Sequence, residues 1–507
     1  MKQSYLIAYD LGTSGTKASL FSTEGYLVNS DTQPYDVFFE SGGKAEQNPD
    51  DWWNAVIKAS KNLTEGIDPS QIKAISFSGQ MMGVVLVDKD GNSIRRAIIW
   101  SDTRAKEEEK ELVSKLGEDH GYELTGHRIS CSYSVAKLMW VKKHEPEIYE
   151  KAYKSLQAKD YIILKMTGEF VTDYSDASGT NGLDIKDLCW SEEIFEAAGL
   201  DINKMPKLLN ATDVAGYLKE DAAEILGLPA GIPVVAGGGD GPCATLGAGC
   251  IQDKQFYLTY GTSAWIGGTT KELFLDEDKV LFTFAHVIPG YYAPTGTMQA
   301  AGASYAYIKD VFCQEEVAEA KKIGKSVFQL MDKLVEQSPV GANNLIYLPY
   351  PTGERSPRWN PHASASFLGM TMQNTKADYI RAVLEGVAMN MAVILRAHRK
   401  YVDIDSLILT GGGAKGNVLT RILADVLGCE MSRPDHVEEA TSMAAAILAG
   451  IGAGIYEDAS VINKFLKYED KTEPIPENNA YYQKRIQVFD NCYEAMTSVY
   501  EELRDNA

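Results

Sequence analysis

One motif occurs twice in this chain. Residues 5–20, YLIAYDLGTSGTKASL, and residues 255–270, QFYLTYGTSAWIGGTT, each read as strand, G-T-S turn, strand. A second echo follows in the same order. IKAISFSGQ (72–80) and SLILTGGGA (406–414) are each a buried strand ending on glycine. Two echoes in register predict an internal duplication with a boundary near residue 250. The 507 residues suit two large units of that kind, taken here as 1–248 and 249–507. Strands alternate with helical segments in both halves, which predicts an α/β fold with ligands in the crevice between domains.

The charge balance narrows the partners. Forty-nine Lys plus Arg against 70 Asp plus Glu give a net charge of -21. That opposes nucleic acid as a partner, since phosphate backbones are held by basic patches. It does not oppose a phosphorylated small molecule, because a bound Mg²⁺ inverts the local field. The seven cysteines are widely spaced with no CxxC, as expected of reduced thiols in a cytoplasmic protein. No signal peptide or membrane-length apolar run is expected, so neither is a membrane partner. A homodimer is compatible with all of this.

Four clusters of residues suggest chemistry. In Asp10-Leu-Gly-Thr-Ser-Gly-Thr-Lys17, a carboxylate at a strand end precedes small residues with free backbone N–H groups. Such a turn holds a metal-bound polyphosphate, with Thr13 and Ser14 adding hydroxyls; as a bare pattern it also fits a plain hairpin. No GxxxxGK[ST] loop occurs. In Gly237-Gly-Gly-Asp-Gly-Pro242, Asp240 stands where a general base or a helix N-cap would stand. Gly411-Gly-Gly-Ala-Lys-Gly-Asn417 follows a strand and opens a helix. It contains GxGxxG at Gly411, Gly413 and Gly416, with Glu430 downstream, so a dinucleotide-binding dehydrogenase is an alternative. Gln80, Met81 and Met82 end one strand. Trp100, Asp102 and Arg104 follow another, and both sets could grip a polar substrate. The seven histidines lack zinc-site spacing, and no GxSxG elbow occurs.

Together these motifs resemble the FGGY family of carbohydrate kinases, and within it the xylulokinases. The series DLGTSGTK, SYSVAKLMWVKKH (132–144, with Lys137 and Trp140), MTGEFVTDYSDASGTNGLD (166–184), AGGGD, YGTS, LPYPTGERSP and GGGAKGN runs nearly the length of the chain. A second signature around SFLGMTMQNTKADYIRAVLEG fits except at Tyr379, where an aliphatic residue is usual. The resemblance implies a two-domain actin-like ATPase fold (ribonuclease H-like) with a catalytic cleft between the domains. It implies transfer of the ATP γ-phosphate to a sugar hydroxyl, with D-xylulose as the first expectation. Ribulose, erythritol or erythrulose, fuculose, gluconate and glycerol are the other acceptors, and a non-sugar actin-like ATPase is a more distant alternative.

Carried over by motif, Asp240 is the catalytic base. Asp10 and Asp240 attend Mg²⁺. Thr13, Ser14, Gly261 and Thr262 meet the ATP phosphates, and Gly413, Ala414 and Asn417 hold the adenosine. Gly302 is a backbone neighbour of the nucleotide. Gln80, Met81, Met82, Trp100, Asp240 and Gly241 line the sugar pocket. Two positions depart from the family pattern. Met82 stands where xylulokinases carry His, and Gly241 where they carry Asn. Arg128, in TGHR, is a candidate for a replacement contact.

Overall fold

The structure, a computed structural model, describes residues 3–435, 439–468 and 471–505. Among these residues two large sheets dominate. The first runs Val214–Tyr217, Pro233–Val235, Ile72–Gly79, Tyr5–Leu11, Gly15–Ser22, Leu27–Pro34. The second runs Phe282–Ala285, Tyr292–Met298, Ala264–Thr269, Gln255–Tyr260, Ser406–Thr410, Glu430–Ser432. The two echoes occupy equivalent places in them. In each sheet the strand before G-T-S pairs antiparallel with the strand after it, and parallel with the later strand that ends on glycine.

Strand Tyr5–Leu11 shows why an almost wholly apolar strand forms here. Side chains alternate across a sheet, so neighbours face opposite sides. Ile7 and Tyr9 join one core with Trp52, Val56 and Ala59 of helix Pro49–Leu63. Leu6 and Ala8 face the other core, against Met443, Ile447 and Leu448 of helix Ala440–Gly452. Both faces are covered, as near-continuous hydrophobic runs require. Each large aliphatic or aromatic side chain buried this way stabilises the fold by about 1.5–3 kcal/mol.

Helix Ala440–Gly452 comes from the far end of the chain yet packs on the first sheet. Its composition, ATSMAAAILAGIG, lets backbones approach closely. A β-carbon on Gly452 would stand 2.6 Å from a Val235 methyl, and one on Gly247 only 1.8 Å from the Ala440 carbonyl oxygen. Helix Asp240–Gly247 lies between the two sheets. Cys243 and Leu246 enter the core of the first, while Ala244 and Ala248 pack with Tyr257 of the second. The C-terminal helix Pro476–Asp505 covers helices Lys376–His398 and Asn417–Leu427. No helix among the described residues is long and apolar enough to cross a membrane.

Two local expectations need correction, and the cap of helix Pro49–Leu63 is defined. The strand expected before Trp100 extends only over Ala97–Ile98, and Arg95 ahead of it pairs with Glu46 at 2.6 Å and Glu145 at 3.2 Å. The N-cap of helix Pro49–Leu63 is Asn48, whose side chain accepts from the Asp50 N–H. Asp240 does not cap its helix. Gly239 holds the cap position, and Asp240 is the first helical residue, its Oδ1 accepting from the Gly241 N–H at 2.8 Å.

Candidate active site

The first G-T-S turn is held from three sides. Tyr35 donates its hydroxyl to the Gly12 carbonyl at 2.6 Å, and Gln47 donates to the Thr13 carbonyl at 2.7 Å. Trp100, 40% exposed, donates its indole N–H to Thr13 Oγ1 at 2.9 Å. Trp100 is therefore a wall of this turn rather than core packing. Ser14 is exposed beside it.

Asp10 ends the strand before the turn. Its Oδ2 accepts from Thr441 Oγ1 at 2.8 Å, and its cross-strand partner is Lys17. The Lys17 ammonium is itself committed to Glu439 at 2.5 Å. Burial raises the Asp10 pKa against the hydrogen bond from Thr441 and the charge of Lys17.

Asp240 opens toward the same region. Its pKa is pushed up to about 7, first by the protein packed around it and second by the negative charge of Asp10. Asp240 itself is solvent-exposed, while Pro242 to Gly247 of its helix are buried between the sheets. Two carboxylates that feel one another, with the nearest lysine paired elsewhere, form a site of uncompensated negative charge.

Gln80, Met81 and Met82 follow the strand parallel to that of Asp10. Gln80 Nε2 donates to Gln47 Oε1 at 2.8 Å, while its Oε1 is buried without a partner. Met81 packs with Phe282 and Phe284, and its sulfur would lie 2.4 Å from a β-carbon on Gly239. It forms the packing behind the Asp240 backbone. Met82 is half-exposed and adopts φ +64°, a conformation uncommon for a side chain of its shape and of the kind found at ligand clamps. Lys137, fully buried, fixes this loop. Its Nζ donates to the carbonyls of Met82 (2.9 Å), Ile99 (2.7 Å) and Ser132 (2.6 Å), so one ammonium ties the Met82 loop to the strand end before Trp100. Desolvation lowers its pKa to about 7.

Gly241 has open space where a side chain would be, the nearest atom being a Phe284 ring carbon at 3.9 Å. Arg128 does not supply a free contact. Its guanidinium binds Glu118 at 2.6 Å and lies over the Trp359 ring at 5.1 Å.

The second G-T-S turn is held by helix Gly302–Phe312. Gly302 donates its N–H to the Gly261 carbonyl at 2.9 Å, and Ala301 and Ala303 donate to the Thr262 carbonyl, each at 3.0 Å. A β-carbon on Gly302 would stand 2.4 Å from the Gly261 oxygen, so only glycine permits this approach. The neighbouring turn, Gly411 to Asn417, is clamped by Arg433. That guanidinium donates to the Ala414 carbonyl at 3.0 Å and to Asn417 Oδ1 at 2.9 Å. The methyl of Ala414 is buried in the second core, so this residue offers a ligand its backbone only.

Packing within the protein itself already calls for glycine at 413. A β-carbon there would stand 2.3 Å from the Tyr260 ring. At Gly412, by contrast, nothing lies within 4 Å. Gly412, Gln47 and Thr441 lie at these turns and beside Asp10, and sequence reasoning passed over them. Gly412 was legible within the triple glycine, but Gln47 and Thr441 stand in segments with no motif of their own.

Residues 5–247 match the N-terminal domain of the FGGY family of carbohydrate kinases, and residues 256–453 match its C-terminal domain. The chain belongs to the FGGY family of carbohydrate kinases. It is 30% identical to the xylulose kinase of Staphylococcus xylosus over 492 residues, which is 97% of this chain and all of that one. Among solved structures it resembles the gluconate kinase of Lactobacillus acidophilus, with a TM-score of 0.92, 27% identity and coverage of 99% of this chain and 100% of the other. The ligand-bound xylulose kinase from the same organism gives a TM-score of 0.91 at 27% identity and the same coverage. The actin-like two-domain fold expected from the motifs is thus the fold of this FGGY kinase. The dehydrogenase alternative falls with it. Glu430, its acidic residue, lies on the outer strand of the second sheet and pairs with Lys471 at 2.6 Å.

Proposed function

We propose that this FGGY kinase transfers the γ-phosphate of ATP to a hydroxyl of D-xylulose, giving D-xylulose 5-phosphate. The observation that carries the mechanism is the Asp240 carboxyl, raised to about 7 at the head of a helix packed between the sheets. A general base works best with a pKa near the operating pH. Asp240 takes the proton of the attacking hydroxyl as the new P–O bond forms. Thr13 and Ser14 on one sheet and Gly261 and Thr262 on the other hold the phosphates, while Gly413, Ala414 and Asn417 hold the adenosine beside Gly412. Gln80, with its unpartnered buried oxygen, joins Met82, Trp100 and Gly241 around the sugar.

Asp10 and Asp240 fit a Mg²⁺ ion. They are two mutually repelling carboxylates, and among the described residues no cluster of three or more His, Cys, Asp or Glu forms a closed cage. Mg²⁺ characteristically binds through one or two carboxylates and substrate phosphates, and it would neutralise charge on the transferring group. The chain's own part is positioning and water exclusion, which supply most of the catalysis in phosphoryl transfer.

The relative from Staphylococcus xylosus supports D-xylulose as the acceptor. Gluconate is the second reading, supported by the likeness to the Lactobacillus gluconate kinase and by the loss of two polar groups at Met82 and Gly241. An ADP-release screen over ketoses, alditols and aldonates separates them. D-Xylulose should give the highest kcat/KM, and a higher value for gluconate overturns the choice of sugar. The reading includes a cytoplasmic location, in keeping with seven free cysteines, and a homodimer, which sedimentation velocity would test.

A further inference from the structure

Behind the Asp240 backbone lies a charged knot with no access to solvent. Lys159 Nζ stands 2.6 Å from Asp160, 2.9 Å from Asp173 and 3.3 Å from Asp176, and all four side chains are at most 1% exposed. Buried ions are costly to desolvate, and such a cluster is weak as a source of stability. Its contacts point to another use. Asp173 Oδ2 accepts from the Ser175 N–H at 2.7 Å and from the Ser175 hydroxyl in a short bond. A serine hydroxyl has one proton, so with that proton given to Asp173 its oxygen can only accept elsewhere. It accepts from the Gly239 N–H at 3.1 Å. Gly239 caps the helix that begins with Asp240 and pairs in the sheet with Gly79, the residue before Gln80. The Lys159 side chain backs that pairing. A β-carbon on Gly79 would stand 3.2 Å from Lys159 Cβ.

We propose that Ser175 is a positioning residue for phosphoryl transfer. Its hydroxyl, oriented by Asp173 within the Lys159 knot, fixes the Gly239 N–H and so sets where the Asp240 carboxylate points. Ser175 itself is buried and touches no substrate. The chain of contacts is Lys159 to Asp173, Asp173 to Ser175, Ser175 to Gly239, and Gly239 to the adjacent Asp240. The inference rests on Asp240 acting as the base. The buried knot explains why a serine with an adaptable hydroxyl behaves here as an acceptor of fixed direction.

The test is steady-state kinetics on Ser175→Ala, Ser175→Thr, Asp240→Asn and the double variant Ser175→Ala with Asp240→Asn. Ser175→Ala should lose roughly tenfold in kcat, as expected when a reacting group is held less well, with KM for ATP and sugar little changed. Ser175→Thr, which keeps the hydroxyl, should recover most of that loss. In the Asp240→Asn background Ser175→Ala should cost almost nothing, because the group it positions is gone. A parent-like kcat for Ser175→Ala, beside an Asp240→Asn variant that has lost activity, overturns this inference and leaves the base assignment standing. An active Asp240→Asn overturns the base assignment itself. Equal losses from Ser175→Ala in both backgrounds reduce Ser175 to ordinary packing. Should the alanine variant not fold, Ser175→Cys, of similar volume and weaker hydrogen bonding, carries the same expectations.

Discussion

Thr441 donates its hydroxyl to Asp10 Oδ2 at 2.8 Å, a bond spanning 431 residues of sequence. The start of helix Ala440–Gly452 thereby reaches the strand that leads into the first G-T-S turn. Hydrogen bonds to charged groups contribute about 1.5–3 kcal/mol. Thr441→Val should therefore lower kcat/KM for ATP by about ten- to a hundredfold, with little change in KM for the sugar. A variant with parental ATP kinetics would leave the Thr441 contact without a role in nucleotide handling.

The two adjacent glycines of the turn proposed to hold the adenosine should behave differently. Gly413→Val meets the Tyr260 ring and should lower Tm through overpacking, which typically costs about 1–3 kcal/mol. Gly412→Val meets nothing in the free protein and should raise KM for ATP with Tm unchanged. Thermal melts and ATP titrations of both variants decide the matter. The reverse pattern would mean that the ligand lies against Gly413.

Sugar specificity can be probed by restoring what the family carries. Gly241 has room for an amide side chain, and His is better tolerated than Met at the positive φ of residue 82. Met82→His with Gly241→Asn should raise kcat/KM for D-xylulose by about ten- to a hundredfold, the worth of two hydrogen bonds at about 0.5–1.5 kcal/mol each. If the parent is already efficient and the double variant is worse, other residues read the sugar.

Lys137→Met removes the donor shared by three carbonyls. Leaving buried carbonyls unsatisfied costs about 1–3 kcal/mol for each. The variant should be markedly less stable in urea, and any folded enzyme should show a raised KM for the sugar with KM for ATP near parental. A parental sugar KM would separate the Met82 loop from sugar binding.

The pH dependence has a definite sign. Asp240 keeps its proton up to about pH 7 in the folded protein but loses it near 3.8 when unfolded. Its contribution to stability is complete below that lower value and fades as pH rises through 7. Activity runs the other way, because the base must be deprotonated. NMR titration of the nucleotide-free enzyme should find a carboxyl near 7, and Asp10→Asn should move it down by removing the nearby charge. An Asp240 resonance titrating near 4 would contradict the assigned environment.

The twin turns were legible because a G-T-S between two apolar strands leaves a local signature, and so was Asp240 behind three glycines. What escaped reading depends on distant partners. Nothing around Thr441 tells that its hydroxyl meets Asp10, and Lys137, legible as part of a signature, gives no sign in sequence of the three carbonyls it joins. The packing of Gly413 against Tyr260 was hidden for the same reason, since Tyr260 lies 153 residues earlier. Gly239, rather than Asp240, holds the cap of its helix, one position from the expected residue.

The helix that covers the Leu6 and Ala8 face of the first sheet is synthesised long after the strands it covers. Leu6, Ala8, Phe21 and Ala74 are synthesised early, yet Met443, Ile447 and Leu448 that cover them follow more than 360 residues later. At about 5–20 residues per second the sheet waits on the order of a minute for its lid. During that interval its apolar face is available to chaperones and to other nascent chains. A gene fragment ending before Ala440 should therefore yield an aggregation-prone product, even though it encodes every strand of that sheet.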